Sequence, residues 1–220
     1  GVGSLGIAGI AIGFPYMMLM MSFGMLVGMG STALVSIKLG ERKKEEAERT
    51  LGNAFILIVL ISIGLSVIGL LFIKPILVIS GGSETVLPYA IDYLRIILIG
   101  GIFSGIGFGL NNIIRAEGNP RTAMSTMLIG ALLNTILDPI FIFWFGWGIK
   151  GAAIATILSQ LVSAVWVLRY FLSGKSTLHF QAKNLKLFMP IVSKILAIGT
   201  APFVLQMGTT LLYVILNNFL

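Results

Sequence analysis

The sequence predicts an all-helical integral membrane protein, a polytopic bundle of about six transmembrane helices. Its composition is the first sign: 57% of the 220 residues are hydrophobic and only 10% are charged, whereas soluble domains carry about 25% charged residues. Mean hydropathy is +1.02. The second is length, because several windows of about 20 residues hold few or no charges, enough to cross a hydrocarbon core of roughly 30 Å. The third is the placement of the basic residues, which are sorted between the connectors rather than spread along the chain.

The hydrophobic segments fall near 13–37, 52–79, 87–113, 123–145, 149–172 and 190–220. The first contains Gly24 and Gly28 at GxxxG spacing, and the third continues that spacing through Gly101, Gly105 and Gly109. Small residues one turn apart let membrane helices approach closely, so these glycines are expected at helix–helix contacts. The third segment also carries Asp92 and Arg95 near its start, and the fourth has Asp138 and Pro139 inside an apolar run.

The connectors alternate. "KLGERKKEEAERT" is strongly charged, with Glu–Lys and Glu–Arg pairs that suit a short solvated helical connector. "SGGSETV" is nearly neutral, "RAEGNPRT" is basic, "GWGIKG" is tight, and the stretch from Arg169 to Lys194 is basic again. The three basic connectors hold five, two and five cations, twelve of the 15 in the chain; Lys74, Arg95 and Lys150 lie elsewhere. Such sorting places those connectors in the cytoplasm and accounts for the net charge of +7 without nucleic-acid binding. Trp144 and Trp147 then fall at the outer interface, where amphipathic rings settle. There is no cysteine, hence no disulfide and no thiolate metal site. The lone His179 lies among lysines and reads as a solvated loop residue. With Gly1 in the first position and no signal peptide, the expectation is a piece of a longer chain.

Asp138 is the most deeply placed carboxylate. A charged aspartate at mid-bilayer is unfavourable by about 2.5–3.5 kcal/mol on insertion scales, and such residues usually serve ion or proton pathways. Counted from the expected outer ends of their helices at 1.5 Å per residue, Asp138, Thr156 and Tyr93 all lie about 9–10 Å deep. Asn134 sits one turn below Asp138 on the same face. Pro139 removes a backbone N–H and loosens the helix beside the carboxylate, freeing carbonyl oxygens. Carboxylate, amide and hydroxyl oxygens suit a hard cation such as Na⁺, and the carboxylate alone suits a proton. A protonated Asp138 that only hydrogen-bonds to a neighbouring helix is the alternative.

The stretches "FPYMMLMMSFGMLVGMGSTALVSIKLGERKKEEAERTLGNAF", "YLRIILIGGIFSGIGFGLNNIIRAEGNPRTAM" and "LLNTILDPIFIF" with "WGIKGAAIATILSQ" resemble the multidrug and toxic compound extrusion (MATE) family of secondary transporters. The resemblance implies half of a molecule with twelve helices in two six-helix lobes. Residues 1–186 would be most of the N-terminal lobe without its first helix, with an inter-lobe connector from about 173, and residues 187–220 would begin the C-terminal lobe as its seventh helix. It implies a multi-pass protein of the cell (inner) membrane, no enzyme, that exports cationic or amphipathic drugs in exchange for Na⁺ or H⁺. The coupling ion replaces any cofactor. The expected partners are a drug-like small molecule, the lipid bilayer and the remainder of the chain, with no nucleic acid. The family's N-lobe cation site matches Asp138, Asn134 and Thr156, with Tyr93 on a neighbouring helix; its first-helix aspartate has no counterpart in this chain.

Other functions compete on the residues alone. A flippase of lipid-linked saccharides would favour cavity cations, of which mainly Arg95 is available. An intramembrane aspartyl protease needs paired aspartates; Asp92 and Asp138 are present, but Asp92 lacks a glycine-rich flank. A channel would show ion flux without coupled substrate.

Overall fold

The computed structural model describes residues 3–219, and every regular element among them is helical. The elements are α1 (Ser4–Gly40), α2 (Lys44–Leu71), α3 (Ile73–Ile79), α4 (Leu87–Ile99), α5 (Gly101–Ala116), α6 (Pro120–Pro139), α7 (Gly148–Leu172) and α8 (Met189–Phe219). A π-helical turn, Ile140–Trp144, continues α6, and a 3₁₀ turn, Ala182–Asn184, precedes α8. Five helices are long and apolar enough to cross a membrane, or six spans if the bent pair α4–α5 counts as one.

Several boundaries differ from the sequence expectation: α1 begins at Ser4 rather than near 13, and the segment expected over 52–79 is broken at Phe72 into α2 and α3. The charged 38–50 connector contracts to Glu41–Lys43, because α1 runs on to Gly40 and α2 begins at Lys44. Glu45 and Glu46 in the first turn of α2 favour the helix N-terminus. Lys38 reaches Glu41 at 3.0 Å and Glu46 at 2.8 Å across the turn, and Arg42 adopts the left-handed conformation there (φ 59°). The segment expected as one helix over 87–113 is broken at Gly100, where α4 and α5 meet at 55°. A side chain at Gly100 would collide with Ile157 of α7, 2.5 Å from the position of its Cβ. The broken span therefore folds around α7.

Glycine governs the close approaches. A Cβ on Gly28 would lie 3.1 Å from the Cα of Gly109, so α1 and α5 meet almost backbone to backbone. Gly105 faces Ser62 and Gly109 faces Ile58 of α2, the packing expected from the spacing. The largest core cluster joins α1, α2, α5 and α7 through Leu34, Leu51, Leu110, Ile113 and Phe171. A second, around Tyr16, Leu77 and Leu94, joins α1, α3 and α4. The third brings Tyr93 and Ile97 of α4 onto Ile149 and Ala153 of α7, and so sets Tyr93 against that helix. On α6, Met124, Leu128, Leu132 and Ile136 form an exposed apolar stripe at four-residue spacing, as a lipid-facing helix requires.

α8 packs along α1 in the opposite direction. Gly30 faces the backbone of Ile195, Gly199 faces the backbone of Leu26, and Phe23–Phe203 and Phe14–Tyr213 meet edge to face at 5.0 and 5.5 Å. At the far end the Asn217 amide donates to Ala11 O (3.3 Å) and the Asn218 amide donates to Ile79 O (2.9 Å).

The stretch between α7 and α8 is held to the bundle. Glu48, expected as a solvated connector charge, is only 4% exposed; it accepts from the His179 backbone N–H (3.2 Å) and the Gln181 amide (2.7 Å). Glu117 accepts from the Ser176 hydroxyl (2.6 Å), the Tyr170 hydroxyl (3.0 Å) and the Thr177 N–H (3.1 Å). Burial pushes the Glu117 carboxyl above the ordinary glutamate range, and the hydrogen bonds from Ser176 and Tyr170 pull it partly back. Leu178 is fully buried, and Phe180 packs edge to face on Phe55 and Phe171. Asn53 accepts from the Phe188 N–H at 2.7 Å.

The topology gives one direct expectation. Single cysteines at Lys44 and Ser83 should react with an impermeant maleimide from opposite faces of oriented vesicles. Labelling of both from one face would contradict the assignment.

Candidate functional site

α6 starts cleanly. Pro120 occupies the first turn, where no intrahelical donor is needed, and the Asn119 side chain accepts from the Thr122 N–H (3.3 Å). The helix then runs to Asp138 and Pro139, where the ladder changes. Proline withholds the N–H that the Thr135 carbonyl would accept, the Ile140 N–H bonds to Leu137 O, and the Phe145 N–H bonds to Ile140 O at 2.9 Å in a π-type turn. π-helical turns inside helices occur frequently at functional sites. The loosening expected at Pro139 is thus a wide turn directly after the carboxylate.

Of the residues singled out in the sequence, Asn134 meets Asp138 directly and shares a cavity wall with Thr156. The Asn134 amide donates to Asp138 Oδ1 at 3.3 Å, one turn along α6. Tyr93 of α4 is 6% exposed and packs on Ile149 and Ala153 of α7, the latter one turn before Thr156 on the same helix. The Thr156 hydroxyl donates to Ala152 O at 2.9 Å, which leaves its lone pairs available. Asp92 stands apart: it is half-buried and pairs at 3.1 Å with the exposed Lys150. It is not a second carboxylate facing Asp138.

Beside this group lies a cavity of about 520 Å³ between α1, α5, α6 and α7. Asn134 and Thr156 line it; Asp138 and Tyr93 do not. Its other polar walls include Asn111, Ser159, Gln160, Ser163 and Arg115, none of them singled out from the sequence. The α7 members had a signal, since Thr156, Ser159, Gln160 and Ser163 form a polar stripe at i, i+3, i+4 and i+7 in an apolar helix. Asn111 is 5% exposed and donates to Ala123 O at 3.1 Å, but its carbonyl oxygen and that of Gln160 are buried without a partner. Buried acceptors left unpaired are unfavourable by about 1–3 kcal/mol each, so the cavity offers acceptors to a guest that brings donors. Gln160 also lines a second cavity of about 250 Å³, whose walls include Met17, Met20, Met21, Phe14, Phe23 and Phe108. Methionine and aromatic walls adapt to varied apolar shapes.

At the C-terminal end of α6, Phe141, Phe145 and Trp147 cluster with centroids 5.2–5.7 Å apart. Trp144 is 84% exposed and packs on no neighbouring helix.

Comparison with known proteins gives a consistent picture. The MatE family model matches residues 1–140. A multidrug export protein MepA from Staphylococcus haemolyticus (strain JCSC1435) is 32% identical over 97% of this chain and 47% of its own length. The inward-facing structure of a multidrug resistance MATE family transporter of the MOP superfamily superposes with a TM-score of 0.94 at 26% identity, over 99% of this chain and 50% of that one. The MATE multidrug transporter DinF-BH in complex with R6G superposes with a TM-score of 0.90 at 40% identity, over 99% and 49%. The chain spans about half the length of the curated relatives it matches.

Proposed function

Because this chain belongs to the MatE family of multi-span membrane transporters, we propose that it forms part of an exporter of cationic or amphipathic drugs driven by inward movement of Na⁺ or H⁺ across the cell membrane. Residues 1–186 are most of the first lobe of that exporter, without its first helix, and residues 187–220 open the second. The whole activity belongs to the longer protein.

One observation carries the coupling assignment. Asp138, the carboxylate within the α6 span, is hydrogen-bonded to Asn134, which lines one cavity with Thr156 of α7, and it sits at a helix break; Tyr93 of α4 packs on α7 one turn before Thr156. The carboxylate therefore borders, through Asn134, the cavity wall that neutral oxygens of α6 and α7 share, with α4 packed on α7 beside them. A cation bound there draws the helices together, and its release lets them separate, so occupancy biases the shape of the neighbouring polar cavity. The Met- and Phe-lined cavity next to it is suited to the apolar part of a drug.

The assay is efflux of a fluorescent cationic dye from proteoliposomes carrying the full-length protein, under an imposed Na⁺ or H⁺ gradient. Asn134→Ala and Thr156→Ala remove neutral oxygens and should raise the ion concentration for half-maximal efflux about tenfold, the effect of losing roughly 1.4 kcal/mol. Tyr93→Phe should shift it less. A shift for Tyr93→Phe larger than for Asn134→Ala would mean that the phenol, not the amide, is the stronger ligand, contrary to this proposal.

A further inference from the structure

We propose that the segment from Lys183 to Met189, with Lys194 one turn into α8, is a docking surface for anionic lipid headgroups of the cytoplasmic leaflet. The segment is inverted relative to a soluble linker. Its polar Asn184 is buried with its backbone against Gly52, and the Phe188 N–H is tied to Asn53. Leu185, Leu187, Phe188 and Met189 point outward and are 39, 44, 55 and 73% exposed. Lys183, Lys186 and Lys194 are exposed beside them. A contiguous exposed apolar patch marks an interaction site rather than a solvated loop.

Position and charge select the occupant. The patch lies directly before a membrane-length helix, at the level where apolar side chains enter the boundary between headgroups and acyl chains. No acidic residue occurs after Asp138. The two carboxylates that reach this connector, Glu48 and Glu117, accept from backbone N–H groups, hydroxyls and the Gln181 amide rather than from its lysines. Among the described residues, Lys183, Lys186 and Lys194 have no ion-pair partner. Unneutralised lysines with intervening apolar side chains complement a negative lipid surface, to which each lysine contributes roughly a fivefold gain in binding. The connector's own fastenings, from Leu178 to Asn53, hold the backbone so that these side chains are presented without ordering a flexible tail. Such a surface depends on the cytoplasmic placement of the basic connectors and is independent of the coupling site.

The test uses the full-length protein in nanodiscs of phosphatidylcholine with increasing phosphatidylglycerol. Bound lipid is read by native mass spectrometry, and the wild type should retain phosphatidylglycerol in preference to phosphatidylcholine. Lys183→Gln, Lys186→Gln and Lys194→Gln together should reduce that preference on the order of 100-fold, with an unchanged melting temperature. Lys150→Gln, near the opposite end of α7, should leave it unchanged. Unaltered phosphatidylglycerol binding by the triple variant would overturn the proposal. A cysteine at Phe188 provides the second readout. Maleimide labelling should be slow with phosphatidylglycerol and fast in phosphatidylcholine alone. Equal protection in both, or in detergent, would show that the rest of the polypeptide covers the patch, and would also overturn it.

Discussion

In the full-length protein, Asp138→Asn is expected to abolish cation-coupled efflux while leaving the fold intact. The amide has the same size, and its oxygen still accepts from Asn134. What disappears is the charge and the exchangeable proton. One charge moving through 100 mV supplies about 2.3 kcal/mol, enough to sustain roughly a 50-fold substrate gradient. With asparagine the accumulation ratio should fall toward unity under either ion gradient, and the melting temperature should stay within a few degrees of wild type. Were Asp138 only a hydrogen-bonding post between helices, the amide would serve nearly as well. Near-normal coupled efflux from a well-expressed variant would therefore refute the mechanism. If accumulation is lost together with the melting transition, the same comparison with Asp138→Glu, which keeps the charge, separates folding from coupling.

The second large effect is expected at Gly199→Val. A Cβ at this position would run into the backbone carbonyl of Leu26, and Gly30 faces Ile195 in the same way. Neither obstacle is a side chain that can rotate aside, so α1 and α8 would have to separate. Overpacking usually destabilises by about 1–3 kcal/mol, and a backbone obstacle belongs at the upper end. Gly208→Val is the matched control: on the same helix, a Cβ there meets nothing within 4 Å. Scanning fluorimetry of the two purified variants should show a lower melting temperature for Gly199→Val alone. Equal melting of both would mean that the α1–α8 approach does not stabilise the protein.

Much of this architecture is legible in the amino-acid order alone. The spans follow from apolar length, and Asn134 with Asp138 from the four-residue period of a helix. The neighbourhood of Tyr93 and Thr156 follows from counting rise per residue along three helices that begin at one surface. Other features are hidden for physical reasons. The stretch ahead of the first expected span is glycine-rich and weakly helical by composition, yet α1 begins at Ser4 because Gly9 packs on the backbone of Tyr89 and Ala90. The bend at Gly100 has a local sign in the Gly100–Gly101 pair, but the residue it packs against, Ile157, lies more than fifty residues away. Glu48 and Glu117 resemble any other connector charges. Their partners lie 131 and 59 residues distant for His179 and Ser176, and no periodicity reports a contact of that range.

The fastened connector has a mechanical corollary. A loop of some sixteen residues would ordinarily act as a slack tether, letting whatever follows translate freely. Here the slack is taken up as far as Phe188, whose own carbonyl accepts from the Ile191 and Val192 N–H groups, so the bundle holds the start of α8 at a fixed joint. The helix is then a lever 31 residues long, about 46 Å at 1.5 Å per residue. A swing of about 10° at the joint displaces its tip by roughly 8 Å, far beyond the reach of the Asn217 and Asn218 side chains. Those two amides are therefore the contacts most sensitive to a tilt of α8, whereas the Gly30 and Gly199 approaches, closer to the joint, would shift far less.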